Sequence, residues 1–278
     1  MLKQKKFPTV LLHDGATFTD LSLDMLSFGR DSAVVPLLAS AGALYFALYK
    51  PFAALYAEIK VPNAVGAFLT VEYWNGSAWV EVSGCVDDTD AFSRSGFIQF
   101  DKPEDWDETS VNSLSGFFIR VRPSLDLTAS LEIQGMNVVF SDDQDLRGVY
   151  PSVLNYLDSS ETSFILRHEN SRDRVIEEIR RTMRKSQVGS GKWEVIDAWD
   201  FLHIEEVRLW ALYLTLENIF SGLQSKESDM FLEKAKEYAG KAQEFKAQAY
   251  LSLDLNDDGR DDKVEQAQEI SSRSLVRG

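Results

Sequence analysis

Tyr73-Trp74-Asn75-Gly76-Ser77-Ala78-Trp79 places two aromatic runs on either side of an Asn-Gly pair. Asn-Gly suits the positive φ angles of a tight turn, and aromatic side chains suit a pleated, half-buried surface. The stretch therefore predicts an antiparallel β-hairpin. Further strand-like runs lie on both sides of it: Ala43–Tyr49, Ala54–Lys60, Ala67–Trp74, Trp79–Val82, Gly96–Phe100, Gly116–Arg122 and Leu131–Phe140. They are short, rich in aromatic and β-branched residues, and separated by turn chemistry. Phe117, Ile119 and Val121 alternate with Phe118, Arg120 and Arg122, which predicts a strand with one buried face. Many short strands at this spacing predict an antiparallel, jelly-roll-like β-sandwich over residues 1–140.

Beyond the polar segment Ser141–Asp145 the period changes, and residues 141–278 read as a helical domain. Ser171–Ser186 is a charged amphipathic helix with Val175, Ile176, Ile179 and Met183 on one face. A Gly-Ser-Gly break at Gly189–Gly191 follows. Glu205–Phe220 is apolar almost all round, which predicts a central helix ending near Gly222. Ser228 to Tyr250 carries Phe231, Ala235, Tyr238, Ala242, Phe245 and Ala249 at alternating spacings of four and three, a seam for packing on another helix. A short further helix or an extended tail completes the chain. The class is α+β, a sandwich followed by a helical bundle.

Composition narrows the function. The chain has 278 residues, 44% of them hydrophobic, enough for two ordinary domains with real cores. Its net charge of −15 disfavours a role based on wrapping nucleic acid, because phosphate binding needs a basic surface. The acidity is spread out: 10 Lys and Arg face 17 Asp and Glu in residues 1–140, and 19 face 27 in residues 141–278. The single cysteine, Cys85, excludes an internal disulfide and a multi-cysteine zinc site, and no positive neighbour activates its thiol. The three histidines form no H-x-x-x-H pair. Met1–Lys6 is basic but no apolar stretch follows, so no secretion signal is read. The apolar run from Ala33 to Ala57 is broken by Pro36, Lys50 and Pro51, and reads as two buried strands rather than a membrane helix.

Asp254-Leu255-Asn256-Asp257-Asp258-Gly259-Arg260-Asp261-Asp262-Lys263-Val264-Glu265 matches the twelve-residue calcium loop. Its ligand positions are Asp254, Asn256, Asp258, the Arg260 carbonyl, Asp262 and Glu265, with Gly259 at the bend. Position 8, usually aliphatic, is Asp261, and no second loop is present. This favours a structural Ca2+ over a sensor, and leaves a solvated acidic turn as the alternative.

Tyr73, Trp74, Trp79 and Trp106 could offer a stacking platform for a sugar ring, or serve as core and cross-strand packing. Strand alternation puts Tyr73 and Trp74 on opposite faces. Asp101, Glu104, Asp105, Asp107 and Glu108 could be read as paired acids of a glycosidase, but their Pro-containing polar loop reads as solvated. His203, near Asp200 and Glu205, reads as an ordinary residue at a helix start. No catalytic constellation emerges, and an enzyme is not expected.

Two resemblances complete the reading. Val71–Val80, Phe92–Phe100, Pro103, Trp106 and Gly116–Arg122 resemble a β-sandwich module of tail and baseplate proteins of tailed phages, with Phe118 where that module often has Trp. Arg172–Ile179, Ala198–Arg208, Ala211–Glu217 and Phe231–Tyr238 are similar to the helical head–tail connector (adaptor) proteins of tailed phages. The second resemblance implies a bundle of about four helices in a ring, usually dodecameric, beneath the portal. It also implies a C-terminal tail that docks on the portal, here through Ser271, Leu275, Val276 and Arg277. The partners so implied are the portal and the tail or neck proteins. Genome DNA would pass through the ring without sequence-specific binding, and no membrane is involved. The expected location is the virion neck, after synthesis in the host cytoplasm. The rival reading is a carbohydrate-binding baseplate or receptor-recognition protein of a phage tail.

Overall fold

A computed structural model describes residues 8–26, 28, 32–159, 161–186, 196–223 and 229–254. The basic start Met1–Lys6, the Gly189–Gly191 break, and all of the acidic loop and tail beyond Asp254 lie outside the described residues. The described residues form two antiparallel sheets and five α-helices, an α+β class. The chain divides into two compact units between Val138 and Val139.

Twelve short strands build the first unit: β1 (Thr9–His13), β2 (Phe18–Asp20), β3 (Ala33–Val34), β4 (Ala43–Leu48), β5 (Ala54–Val61), β6 (Leu69–Trp74), β7 (Trp79–Glu81), β8 (Val86–Asp87), β9 (Gly96–Gln99), β10 (Thr109–Val111), β11 (Leu114–Pro123) and β12 (Glu132–Asn137). One helical turn, α1 (Ser22–Met25), sits between β2 and β3. The first sheet has the order β2-β1-β4-β11-β6-β7, with β10 also paired to β11; the second runs β3-β12-β5-β9-β8. All described pairings are antiparallel.

Period-two alternation supplies the core. Leu44, Phe46 and Leu48 of β4 and Ile119 and Val121 of β11 are all essentially buried. Burial of such a side chain contributes about 1.5–3 kcal/mol. Phe52 packs on Phe46 at 5.3 Å and on Phe100, just past β9, at 5.9 Å, so its ring joins the two sheets. Gly135 marks a close approach. A Cβ there would lie 2.6 Å from the Phe28 ring, and the β12–β5 register shifts beside it.

The expectation of one buried face on β11 is corrected. Phe118 is fully buried on the face opposite Ile119 and Val121. It packs with Leu11, Ala47 and Val111, flanked by half-buried Phe18, Tyr45 and Trp79. The sheet carries an apolar cluster on this second face because the β10–β11 hairpin folds Val111 onto it.

The second unit is helical: α2 (Asp143–Val149), α3 (Ile165–Ser186), α4 (Glu205–Leu223) and α5 (Asp229–Gln248), with 3-10 turns at Val153–Tyr156 and Ala198–Asp200. α2 opens with a reciprocal capping box between Asp142 and Asp145, so the polar segment read as a boundary is a helix start. α3 begins six residues earlier than its apolar stripe predicts, because the Asp143 carboxylate accepts the Phe164 amide. α4 packs against both α3 and α5 and buries residues around most of its circumference, though Leu209 stays 45% exposed. It runs through Gly222 to Leu223.

The seam of α5 is spent on α4. Phe231, Ala235, Tyr238, Ala242 and Ala249 are buried, and Phe245 stacks on Tyr213 at 5.2 Å with the rings 7° from parallel. Among the described residues no helix is long and apolar enough to cross a membrane.

Candidate functional site

The hairpin that opens the sequence reading is formed, with a different turn. Trp74 pairs with Trp79, so the loop is the four residues Asn75–Ala78. The Asn75 side chain closes it by accepting from the amides of Ser77 and Ala78 and from the Ser77 hydroxyl. Only Gly76 needs a positive φ, +89°, and a Cβ there would meet Asp107 Oδ2 at 2.9 Å.

The four aromatics of the sugar platform separate. Tyr73 and Trp106 are buried, 8% and 6% exposed. Trp106 lies among Phe52, Tyr73, Phe100 and Phe117 at 5.1–6.4 Å, and its indole N–H has no partner among the described residues. The Tyr73 hydroxyl donates to Asp105 at 2.7 Å, and this hydrogen bond, with burial, pushes it up to about 12. Trp74 and Trp79 remain half-buried on the opposite face, edge to face at 5.8 Å. A four-ring platform is therefore corrected to a pair, because alternate residues of β6 point to opposite faces.

That pair adjoins a charge cluster with no signal in the sequence beyond its strand spacing. Register places Glu72 of β6 opposite Arg120 of β11. Arg120 donates to both carboxylate oxygens, at 2.7 and 3.1 Å, and Arg122 does the same at 2.8 and 3.2 Å. Burial pushes the Glu72 carboxyl up, but the hydrogen bonds and charge of the two arginines outweigh it and hold it below the usual glutamate range. Arg120 also lies over the Trp79 ring, 4.7 Å from its centroid. The surface thus combines an indole pair with a guanidinium–carboxylate triad. Glu72 is buried and both its oxygens are taken by the two arginines, so the accessible part is the half-buried indole pair and the outer edge of Arg122. It holds no paired acids poised for proton transfer.

Asp101, Glu104, Asp105, Asp107 and Glu108 are exposed. Asp105 is engaged by Tyr73, Asp101 accepts from Ser83, and Asp107 accepts the Glu108 amide. Cys85 lies at the surface, and partial burial with the charges of Asp87 and Glu81 pushes its thiol up to about 11, the opposite of an activated thiolate. His203 is exposed beside the start of α4.

The helical unit holds a polar series that sequence reasoning missed. The Ser141 hydroxyl lies 2.8 Å from His168 Nδ1, and His168 Nε2 lies 3.3 Å from Asp143 Oδ1. The residue types are those of a hydrolytic triad, but Ser141 is 0% and His168 1% exposed, so the hydroxyl faces no substrate. The series ties the start of α2 to α3. Arg208 of α4 adds a bifurcated contact, its Nε donating to both carboxylate oxygens of Asp145 at 2.9 and 3.0 Å.

Of the calcium-loop positions, Asp254 is described. It is fully buried, and its amide donates to the carbonyl of Asp200, itself 1% exposed, at 2.9 Å. Asn256, Asp258, Arg260, Asp262 and Glu265 lie outside the described residues, as do Ser271, Leu275, Val276 and Arg277. Among the described residues, no group of three or more His, Cys, Asp or Glu could hold a metal.

Compared with known proteins, the chain matches no family model and no curated protein. Among solved structures it is similar to "CpGH89CBM32-6 produced by Clostridium perfringens", at 13% identity over 48% of this chain and 93% of that one, with a TM-score of 0.31. A likeness at that score carries no argument about this chain's fold or function.

Proposed function

We propose that this chain is a virion structural protein, a head–tail connector that joins the portal to the tail or neck and acts by assembly, without catalysis. In this reading the two sheets pack as a jelly-roll-like sandwich and the helices form the adaptor bundle. Copies assemble into a ring, dodecameric by resemblance, through which genome DNA passes without sequence-specific contact.

The observation that carries the reading is the separation of the two motif sets. The tail-module residues run along β6, β7, β9 and β11, and the adaptor residues along α3, α4 and α5, in different compact units. The buried α5 seam is not available for ring contacts, so those fall on other helical surfaces. The C-terminal tail, with Ser271, Leu275, Val276 and Arg277, docks on the portal, and a structural Ca2+ fixes the turn that precedes it. Electron microscopy of the purified protein and of virions tests the proposal. Rings in solution and density at the neck are expected; a protein found only outside the virion sinks it.

A second reading is favoured by the Trp74–Trp79 pair with Arg120 over Trp79: a carbohydrate-binding baseplate or receptor-recognition protein. Glycan-array binding that disappears in Trp74→Ala while the fold persists would select it over the connector.

A further inference from the structure

Antiparallel register carries one row of side chains across the first sheet, on the face opposite Ile119 and Val121. Asp20 pairs with Leu11, Leu11 with Tyr45, Tyr45 with Arg120, Arg120 with Glu72, and Glu72 with Glu81. Directly paired residues share a face, and so do residues two apart on one strand. The Trp74–Trp79 pair therefore flanks this row on one side and the Thr70–Arg122 pair on the other.

Trp79 does not stand off the sheet. Its strand β7 lies three strands from β4, about 14 Å in the hydrogen-bonding direction, yet its ring is 5.7 Å from that of Tyr45. The indole leans back over β6 toward β11, packs on the cluster around Phe118 and carries Arg120 on one side. Trp74 is set at 67° to it, and both rings stay half-buried. Together they form an angled aromatic floor.

The polar groups of this face are unequally satisfied. Glu72 is spent on the two arginines. The exposed Glu81 carboxylate, the half-buried Thr70 hydroxyl and Nη1 of Arg122, a side chain 45% exposed, have no partner among the described residues. The three differ in kind: a carboxylate accepts, a guanidinium donates and a hydroxyl does both.

A pyranose has C–H groups on its faces and hydroxyls around its rim, each hydroxyl both donor and acceptor. An indole floor with unpaired donors and acceptors beside it matches both features. A protein partner would prefer a core depleted of charge, and here unpaired Glu81 and Arg122 stand beside the indoles. Charge then selects among sugars. Arg120 and Arg122 are balanced by Glu72 and Glu81, and the outlying charges are negative: Asp14 and Asp20 at the β1–β2 hairpin, and Asp107 against the Gly76 turn. An anionic sugar would meet repulsion in a chain of net charge −15. We propose that this face binds a neutral pyranose, stacked on Trp74 and Trp79, with its hydroxyls held by Glu81, Thr70 and the outer edge of Arg122. The inference rests on the carbohydrate-binding reading above and adds to it the charge of the sugar and the polar groups that hold it.

The test begins with a glycan array carrying neutral and anionic sugars, probed with the full-length protein. Tryptophan fluorescence is then titrated with methyl glucoside, galactoside and mannoside, and with glucuronate and N-acetylneuraminate. Neutral sugars should bind and perturb the emission, and anionic ones should bind roughly tenfold more weakly, about 1.4 kcal/mol. Glu81→Gln and Thr70→Val keep the shape of partly exposed side chains, and each should weaken the neutral sugar by roughly tenfold with the melting temperature unchanged. Arg122→Lys keeps the charge but loses the planar fork, and should do the same. If it melts early, the other two variants decide. A wild type that binds no glycan removes the carbohydrate reading and this inference with it. Binding that Trp74→Ala abolishes but the well-folded polar variants leave intact, or that prefers the anionic sugars, keeps the reading and overturns the inference.

Discussion

Glu72 and Arg120 face each other across β6 and β11, joined by hydrogen bonds of 2.7 and 3.1 Å. With Arg122 bound to the same carboxylate, one anion holds two guanidinium groups together on a largely covered sheet face. Glu72→Gln preserves the shape but leaves two cations confronting each other. It should cost about 1.5–3 kcal/mol of stability, the range for hydrogen bonds to charged groups. Acid should act in the same direction. A carboxyl held below its ordinary value, about 4.3, stabilises the fold above that pH and ceases to do so as pH falls through the lower folded value. Melting temperatures from neutral to acid pH check both points: the variant should start lower and lose less on acidification. Superimposable curves would show that the cluster contributes nothing.

Asp142 has the opposite sign. Burial, then the charge of Asp145, pushes its carboxyl up, so holding it ionised costs stability at neutral pH. Its capping role needs only the side-chain oxygen that accepts the Asp145 amide at 2.9 Å, and asparagine caps as well as aspartate. Asp142→Asn is therefore expected to melt slightly above wild type at pH 7. The difference should vanish below the ordinary aspartate value, about 3.9, where the Asp142 carboxyl is neutral in both the folded and the unfolded chain. A variant less stable at every pH would mean that the charge of Asp142, facing His168 and Arg208, matters more than its burial.

Ser141 and His168 separate chemistry from architecture. If their 2.8 Å contact is a structural tie, Ser141→Ala leaves a buried ring nitrogen without its partner and costs about 1–3 kcal/mol. No ester hydrolysis and no labelling by a serine-directed fluorophosphonate should be seen in the wild type. Labelling that Ser141→Ala removes would instead make the series catalytic and overturn the non-enzymatic reading.

The fold was legible where a single local signal sufficed. β5, β6 and α4 follow directly from dense apolar runs, and the seam of α5 pairs with α4 as its four-three spacing implies. β2 and β10 have three residues each, too few for alternation to register, and β10 lies in acidic, polar sequence. α2 was hidden because its capping aspartates look like a linker. The site was less legible. Register alone brings Glu72 to Arg120, and only tertiary packing sends Trp106 inward while leaving Trp79 half-exposed beside Arg120. Likewise, nothing in the spacing of Ser141 and His168 signals that they meet.

Asp254 begins the acidic loop from a position already fixed by protein contacts. Leu253 bridges to Phe201, the Ser252 amide and hydroxyl donate to Glu206 at 2.6 and 2.7 Å, and Asp254 donates through its amide to Asp200. Asp254→Ala would therefore disturb buried packing whether or not an ion binds, and cannot isolate the metal. Glu265→Gln, at the loop's last ligand position, removes a carboxylate far along the loop and is the cleaner variant. Under the calcium proposal, titrating Ca2+ into the full-length protein should give a binding heat that Glu265→Gln loses. Wild type should also gain about 2.7 kcal/mol of stability at a hundredfold excess over the dissociation constant, while the variant gains none. Mg2+ should do less, because a flexible ring of six or seven oxygens suits the larger ion. Absence of both heat and stabilisation in the wild type would overturn the calcium proposal.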